Sequence, residues 1–377
     1  MKVLLFANTD WYLFNFRRTL AAALKDRGHD VTLVSPPGLY GEKLEALGFR
    51  WIPAPMDRRS LNPLRELALL GWLFRLLRRE RPDVVHGFTI KCVVYGALVG
   101  RLAGAARINA VAGMGYVFIS NSLKARILRP WVRGLMRLAL GGGQARLILQ
   151  NPDDVTLFER ARLVSVDKIR LIRGSGVDCA RFIPGDDEEV AENRPLRVLL
   201  AARLLWDKGL AEFVDAARLL KAEGRDIRFT LAGAPDPGNP AAAPEATIAA
   251  WQAEGLVDWL GHVDDMPALL LAADIVALPS YREGLPKTLI EAAACAKPLI
   301  ATDAPGCREV VTHGVNGLLV PIRNAQALAE AIARLQDDPG LARRLGLAAR
   351  AKALAEFDEK IVIAQTLAVY HEMRSQA

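Results

Sequence analysis

Short apolar runs and helical segments alternate along almost the whole chain, and this alternation limits the fold more than any other feature. Lys2–Asn8, Asp30–Ser35, Asp83–His86, Arg107–Val111, Leu147–Gln150 and Ile169–Ile172 read as strands. Helical patterns cover Phe16–Arg27, which ends at Gly28, and also Val93–Ala103 and Asp153–Ala161. An acidic, Pro-rich connection from Ile183 to Pro195 follows, and the alternation then restarts. Its pieces are a strand at Leu196–Ala202, a helix at Leu210–Glu223, a strand at Arg228–Ala232, a helix near Ala243–Glu254, and strands at Val257–Leu260 and Ile275–Leu278. Strands that alternate with helices form a parallel, doubly wound α/β sheet. A chain of 377 residues is long for one hydrophobic core, so two such domains are expected.

Charge separates the two halves. The first 174 residues carry 28 Lys and Arg against 13 Asp and Glu, and the remainder carries 21 against 29. Between Asp83 and Asp153 there is no acidic residue, while Lys91, Arg101, Arg107, Lys124, Arg126, Arg129, Arg133, Arg137 and Arg146 all fall there. Such a field favours anionic lipid head groups, phosphorylated substrates or nucleic acid. Leu61–Arg81 and Leu123–Leu138 interleave apolar residues with bases at helical spacing, the pattern of helices that lie on a membrane surface. Core helices with solvated arginines would look the same. Nucleic acid is the weakest of the three partners, because no RNA- or DNA-binding signature is present.

The N-terminus runs directly into a strand with no signal-peptide pattern, and no stretch has the roughly 18 apolar residues of a spanning helix. Both point to a cytoplasmic protein, peripheral on the inner face of the membrane. Cys92, Cys179, Cys295 and Cys307 lack metal-site or C-x-x-C spacing and read as reduced, buried thiols.

Two loops carry the candidate chemistry. In Glu283-Gly-Leu-Pro-Lys-Thr-Leu-Ile-Glu291 a strand feeds through a loop into a helix whose first residue is expected to be Pro286. The first-turn amides and the helix dipole favour an anion there, Thr288 adds a hydroxyl, Glu283 hangs over the mouth, and Glu291 can accept from sugar hydroxyls. In Ala202-Arg-Leu-Leu-Trp-Asp-Lys-Gly209 the cations Arg203 and Lys208 follow a strand end, where open α/β sheets bind ligands. Each loop alone reads more readily as a solvated junction. Together they are expected to neutralise a nucleotide diphosphate leaving group without a metal ion, since the chain has no Asp-x-Asp. A dinucleotide cofactor is not expected, because neither Gly113-Met-Gly115 nor Gly174-Ser-Gly176 belongs to a G-x-G-x-x-G turn.

These motifs resemble the retaining glycosyltransferases of family 4, in which two Rossmann-like domains face a cleft (the GT-B architecture). Asn15-Phe-Arg17, Asp83-Val-Val-His86, Thr89-Ile-Lys91, Gly113-Met-Gly-Tyr-Val-Phe118, Gln150-Asn151 and Gly174-Ser-Gly-Val-Asp178 are similar to the branch that extends polyprenyl-diphosphate-linked sugars. The resemblance implies an acceptor- and membrane-binding domain over 1–175, a donor domain over 176–357, and a C-terminal helix, about 358–377, crossing back to the first. That helix bears Ile361, Ala364, Leu367 and Tyr370 on one face. It further implies that Arg203 and Lys208 bind the donor diphosphate and that Glu283 contacts the donor sugar. Leu285, Pro286, Lys287 and Thr288 would meet sugar and phosphate, Glu291 the ribose, and Gly233 and Val263 the base pocket. His86 would face the cleft, and Asn15, Arg17, Lys91, Gly113 and Gly115 would serve the acceptor. No cofactor is implied beyond the nucleotide-sugar co-substrate, a UDP-N-acetylhexosamine. One departure is Ala201-Ala202, where relatives carry glycine before the arginine; alanine is tolerable unless positive φ is required. A nucleotide-sugar epimerase and an inactive membrane-surface scaffold are the alternatives, separated by whether sugar reaches a lipid-linked acceptor.

Overall fold

The computed structural model describes residues 1–58, 60, 62–111, 123–185, 194–236 and 238–374, excluding the side chains of 123–129 and of Trp131. Gly113, Gly115 and the acidic run 186–189 lie outside the described residues. The chain divides into one unit of Met1–Ser175 with Lys360–Ala377, and a second of Gly176–Glu359.

The first unit holds seven parallel strands in chain order: β1 (Lys2–Phe6), β2 (Asp30–Ser35), β3 (Arg50–Pro53), β4 (Val84–Phe88), β5 (Ala106–Val111), β6 (Ala145–Leu149) and β7 (Ile169–Leu171). They lie side by side as β3-β2-β1-β4-β5-β6-β7. After Lys2, strand β1 is apolar on both faces because helices cover both faces of the sheet. One side packs on the helix Arg18–Asp26 and the C-terminal helix Glu359–Arg374. The other packs on Pro63–Glu80, Ile90–Ala103 and Leu123–Leu140, the last running on through Pro130. Local chemistry sets several boundaries. The Asn62 side chain caps Pro63–Glu80 through the amides of Leu64 and Arg65, with Pro63 at the first position. Asn151 and Pro152 do the same for Pro152–Arg160.

The helix expected from Phe16 instead starts at Asp10, capped by Thr9, and passes through a π-helical turn, Leu13–Arg17. That wider turn accompanies the burial of Arg17 against Tyr12 and Phe88, a constraint that periodicity does not encode. In the C-terminal helix Leu367 and Tyr370 are buried, but Ala364 is exposed; the buried face is Val362, Thr366, Leu367, Val369, Tyr370 and Met373. Glu372 on this helix accepts from Arg146 at 2.6 Å and pairs with Arg170.

The second unit repeats the plan with β8 (Leu196–Ala201), β9 (Ile227–Ala232), β10 (Asp258–Trp259), β11 (Ile275–Leu278), β12 (Leu299–Thr302) and β13 (Leu318–Val320). Its order is β10-β9-β8-β11-β12-β13, again parallel. In each sheet the order reverses between the first and fourth strands: β1 and β4 above, β8 and β11 here. Ligands of open α/β sheets bind outside the carboxyl ends of the strands at such a switch point. The four cysteines are free and buried, and burial pushes the Cys295 thiol up to about 11.

Candidate active site

The switch point of the second unit collects both sequence loops. Arg203 and Lys208 leave the end of β8, Glu283 leaves the end of β11, and four contacts tie the two segments together. Lys208 Nζ donates to Glu283 Oε1 at 2.5 Å, and the Tyr281 amide donates to the Asp207 carbonyl at 2.9 Å. Thr288 Oγ1 donates to the Ala201 carbonyl at 3.0 Å. Gly209 lies against the loop before Glu283, where a Cβ would stand 2.2 Å from the Pro279 carbonyl oxygen. Glycine is therefore needed after Lys208, both for that approach and for its φ of +75°.

Charges at this point are paired but not neutralised by burial alone. Lys208 and Glu283 are mostly buried, at 14% and 13% side-chain exposure, while Arg203 is 61% exposed and reaches Asp236 Oδ2 at 3.1 Å. Ser280 Oγ donates to the same Glu283 oxygen at 2.7 Å, so Glu283 is folded into the loop and does not overhang its mouth. Pro286 is the N-cap of Lys287–Ala294, one position earlier than expected, and brings no side-chain cap to the first turn. The positive end of this helix therefore faces the loop without a capping oxygen of its own. Thr288 spends its proton on Ala201, which corrects its expected role as a hydroxyl donor to an anion: it fastens the helix to β8.

Glu291 is buried on that helix and meets the Lys287 ammonium at 3.7 Å, longer than a hydrogen bond. Burial raises its pKa, and Lys287 only partly opposes this. A carboxylate raised in the folded state costs stability once ionised. The cost is absent below the ordinary glutamate pKa and grows as pH rises towards and through the folded value. Glu291→Gln is therefore expected to melt a few degrees above the parent at pH 7.5, with the gap closing towards pH 4, measured by calorimetry. Equal melting at pH 7.5 would refute the assignment.

Gly233, at the end of β9, has φ +155°, and its amide donates to the Gly261 carbonyl at 2.7 Å. It thus joins β9 to the loop carrying the half-buried Val263. Neither Ala201 nor Ala202 has positive φ, so alanine is accommodated there. Leu285 is half-buried between Glu283 and Pro286.

Three residues of the first unit depart from expectation. His86 is fully buried within that unit: Nδ1 meets Tyr370 Oη at 2.7 Å and its ring lies 4.1 Å from Phe88. Burial and then the charge of Arg17 push its pKa well down, so it is a neutral imidazole buried in this unit. Lys91 donates to the Asp57 and Ser60 carbonyls and to Glu66 Oε1, at 2.8, 3.1 and 2.8 Å. Those three bonds saturate its ammonium and fasten Pro63–Glu80 to Ile90–Ala103; no donor remains for an acceptor diphosphate. Arg17, expected to serve the acceptor, is 5% exposed, donates to Tyr12 Oη and lies 4.4 Å over the Phe88 ring. Asn15 is half-buried and donates to the Trp11 carbonyl at 3.0 Å.

Sequence reasoning missed Asp236, which holds Arg203, and the Tyr281–Glu212 hydrogen bond of 2.6 Å that braces the Glu283 loop. Asp236 lies in the Pro- and Ala-rich segment 235–244, whose composition says only that it is a loop. Among the described residues no group of three or more His, Cys, Asp or Glu is placed to hold a metal ion, and no helix is long and apolar enough to cross a membrane.

Two doubly wound parallel sheets, the second of which brings Arg203, Lys208 and Glu283 to its switch point, define a two-unit α/β protein. Residues 2–151 match the family described as glycosyl transferase 4-like, and residues 186–352 match glycosyl transferases group 1. The chain is 31% identical over 369 residues, 95% of each chain, to the N,N'-diacetylbacillosaminyl-diphospho-undecaprenol alpha-1,3-N-acetylgalactosaminyltransferase of Campylobacter jejuni. It is 26% identical over 290 residues, 74% of this chain and 73% of the other, to an Escherichia coli UDP-Gal:alpha-D-GlcNAc-diphosphoundecaprenol alpha-1,3-galactosyltransferase. Anabaena HepE, solved with UDP and glucose, shares the fold with a TM-score of 0.80 at 21% identity, covering 99% of this chain and 100% of that one. The chain belongs to the GT4-like, group 1 glycosyltransferases with the GT-B fold.

Proposed function

We propose that the protein transfers an N-acetylhexosamine from a UDP-sugar to an undecaprenyl-diphosphate-linked saccharide, with retention and without a metal ion. The observation that carries this reading is the joining of Arg203, Lys208 and Glu283 at the β8/β11 switch point, beside an N-terminal helix turn. The names of the two relatives above support the acceptor class. In this reading Arg203 and Lys208 hold the diphosphate and stabilise the charge it gains as the sugar–oxygen bond breaks. The acceptor hydroxyl forms the new bond on the same face, and its proton passes to a diphosphate oxygen. Glu283 and Glu291 grip sugar and ribose hydroxyls, and Gly233 and Val263 line the base pocket.

The test is a donor screen with membrane extract containing polyprenyl-diphosphate sugars, reading nucleotide diphosphate release. Release with water-soluble sugars and none with lipid-linked ones would sink the acceptor assignment. Loss of neither nucleotide binding nor turnover in Arg203→Ala and Lys208→Ala would sink the donor site.

The protein is further proposed to dock on the inner membrane face through Pro63–Glu80, where Leu64 and Leu67 are 77% and 63% exposed among basic residues. The double variant Leu64→Ser/Leu67→Ser is expected to lower co-sedimentation with anionic vesicles by about tenfold or more. Unchanged sedimentation would move docking to another surface.

A further inference from the structure

Arg107 is the second residue of β5, at the amino end of an inner strand of the first unit's sheet, and no carboxylate among the described residues meets it. It is 4% exposed, and its Nε and Nη1 are buried without a hydrogen-bond partner. A buried guanidinium with two unmade hydrogen bonds is costly, and burial followed by the charge of Arg101 depresses its pKa. Its neighbours increase the positive charge. Arg101 is exposed beside it and donates to the Leu138 carbonyl at 3.4 Å. The basic stretch between Asp83 and Asp153 supplies no acid. Glu372 serves Arg146 and Arg170 instead.

The backbone packs closely on Arg107 at two glycines. Gly142 has φ +94°, and a Cβ there would stand 3.0 Å from Arg107 Nη2. Nearer the backbone, a Cβ on Gly100 would approach Arg107 Cγ to 3.3 Å. Gly142 belongs to the run Gly141-Gly142-Gly143, which follows Leu123–Leu140. Exposed Leu102 and Leu138, 74% and 54% accessible, adjoin Arg101 in sequence and through its hydrogen bond.

We propose that Arg107, with Arg101 and the Gly141–Gly143 loop, forms a binding site for a phosphate-bearing anion, separate from the donor site in the second unit. A guanidinium presents paired N–H donors that match phosphate oxygens, and a glycine loop lets an anion approach without side-chain interference. The same phosphate chemistry belongs to a free phosphate compound and to a phospholipid head group; the head-group case also rests on the membrane docking proposed above.

The experiment compares the parent, Arg107→Met and Arg203→Ala in two arms. In the first, melting is followed with inorganic phosphate against chloride at equal ionic strength. In the second, binding is followed to phosphatidylcholine vesicles with and without phosphatidylglycerol. A phosphate-specific rise of about 3 °C at tenfold excess over Kd, kept in Arg203→Ala and lost in Arg107→Met, establishes a small-anion site. Phosphatidylglycerol-dependent binding, kept in Arg203→Ala and lost in Arg107→Met, establishes a head-group site. Responses equal in the parent and Arg107→Met, or absent in both arms, overturn the proposal. Loss in Arg203→Ala alone would assign the anion to the donor site and leave the proposed function standing. If Arg107→Met fails to fold, Gly142→Ala provides the same comparison, because its methyl group fills the space beside Nη2.

Discussion

Lys208→Ala is expected to lower kcat/KM for sugar transfer by about a thousandfold, equivalent to about 4 kcal/mol of transition-state stabilisation. Two losses add. The diphosphate leaves without its mostly buried cation, where screening by water is weak. Glu283 also keeps its carboxylate in the loop with the Ser280 hydroxyl but without its 2.5 Å cation, and faces the incoming diphosphate as a like charge. Arg203→Ala should cost less, because 61% of its side chain is exposed and solvent can partly replace it. The double variant Lys208→Ala/Glu283→Gln separates the causes. If Lys208 only neutralised Glu283, the double variant would regain most activity; the expectation is that it does not. Steady-state release of nucleotide diphosphate at saturating acceptor measures all three. Activity of Lys208→Ala within tenfold of the parent would contradict the assignment.

Gly233→Ala is expected to destabilise the second unit by about 3–5 kcal/mol, a fall in Tm of roughly 10 °C or failure to accumulate. The added Cβ would stand 1.8 Å from the Ala202 carbonyl oxygen, a backbone atom that cannot rotate aside, at a φ of +155°. Gly224→Ala is the matched control. Gly224 also has positive φ, +73°, but nothing lies within 4 Å of its Cβ position, so about 1 kcal/mol is expected. If calorimetry shows the two variants melting together, the close approach at Gly233 is not what limits that site.

The doubly wound plan was readable because strands buried on both faces are unbroken apolar runs and helix boundaries carry local signals such as Asn62-Pro63 and Asn151-Pro152. The pairing of the Arg203–Lys208 loop with the Glu283 loop was also readable, since each follows a strand of the same sheet. His86 and Arg17 were not. Their burial depends on Tyr370, Tyr12 and Phe88, and Tyr370 lies 284 residues from His86. Lys91 misled for a similar reason: a lysine's sequence context does not show that two carbonyls and Glu66 saturate it. Asp236 was hidden by its loop, where composition reports irregular backbone but not which carboxylate turns towards Arg203.

The return of Lys360–Ala377 to the first unit bears on the order in which the protein can be made. Leu367, Val369, Tyr370 and Met373 fill the same cluster as Val3, Leu5 and Val84. A nascent chain therefore cannot close this cluster when residue 175 has been added. It must wait for the whole second unit and for its own last helix to leave the ribosome. At about 5–20 residues per second that delay is on the order of ten seconds or more, with the part of that sheet face not covered by Arg18–Asp26 open throughout. Protection of that face during synthesis, by a chaperone or by the nascent second unit, becomes a requirement set by the path of the chain.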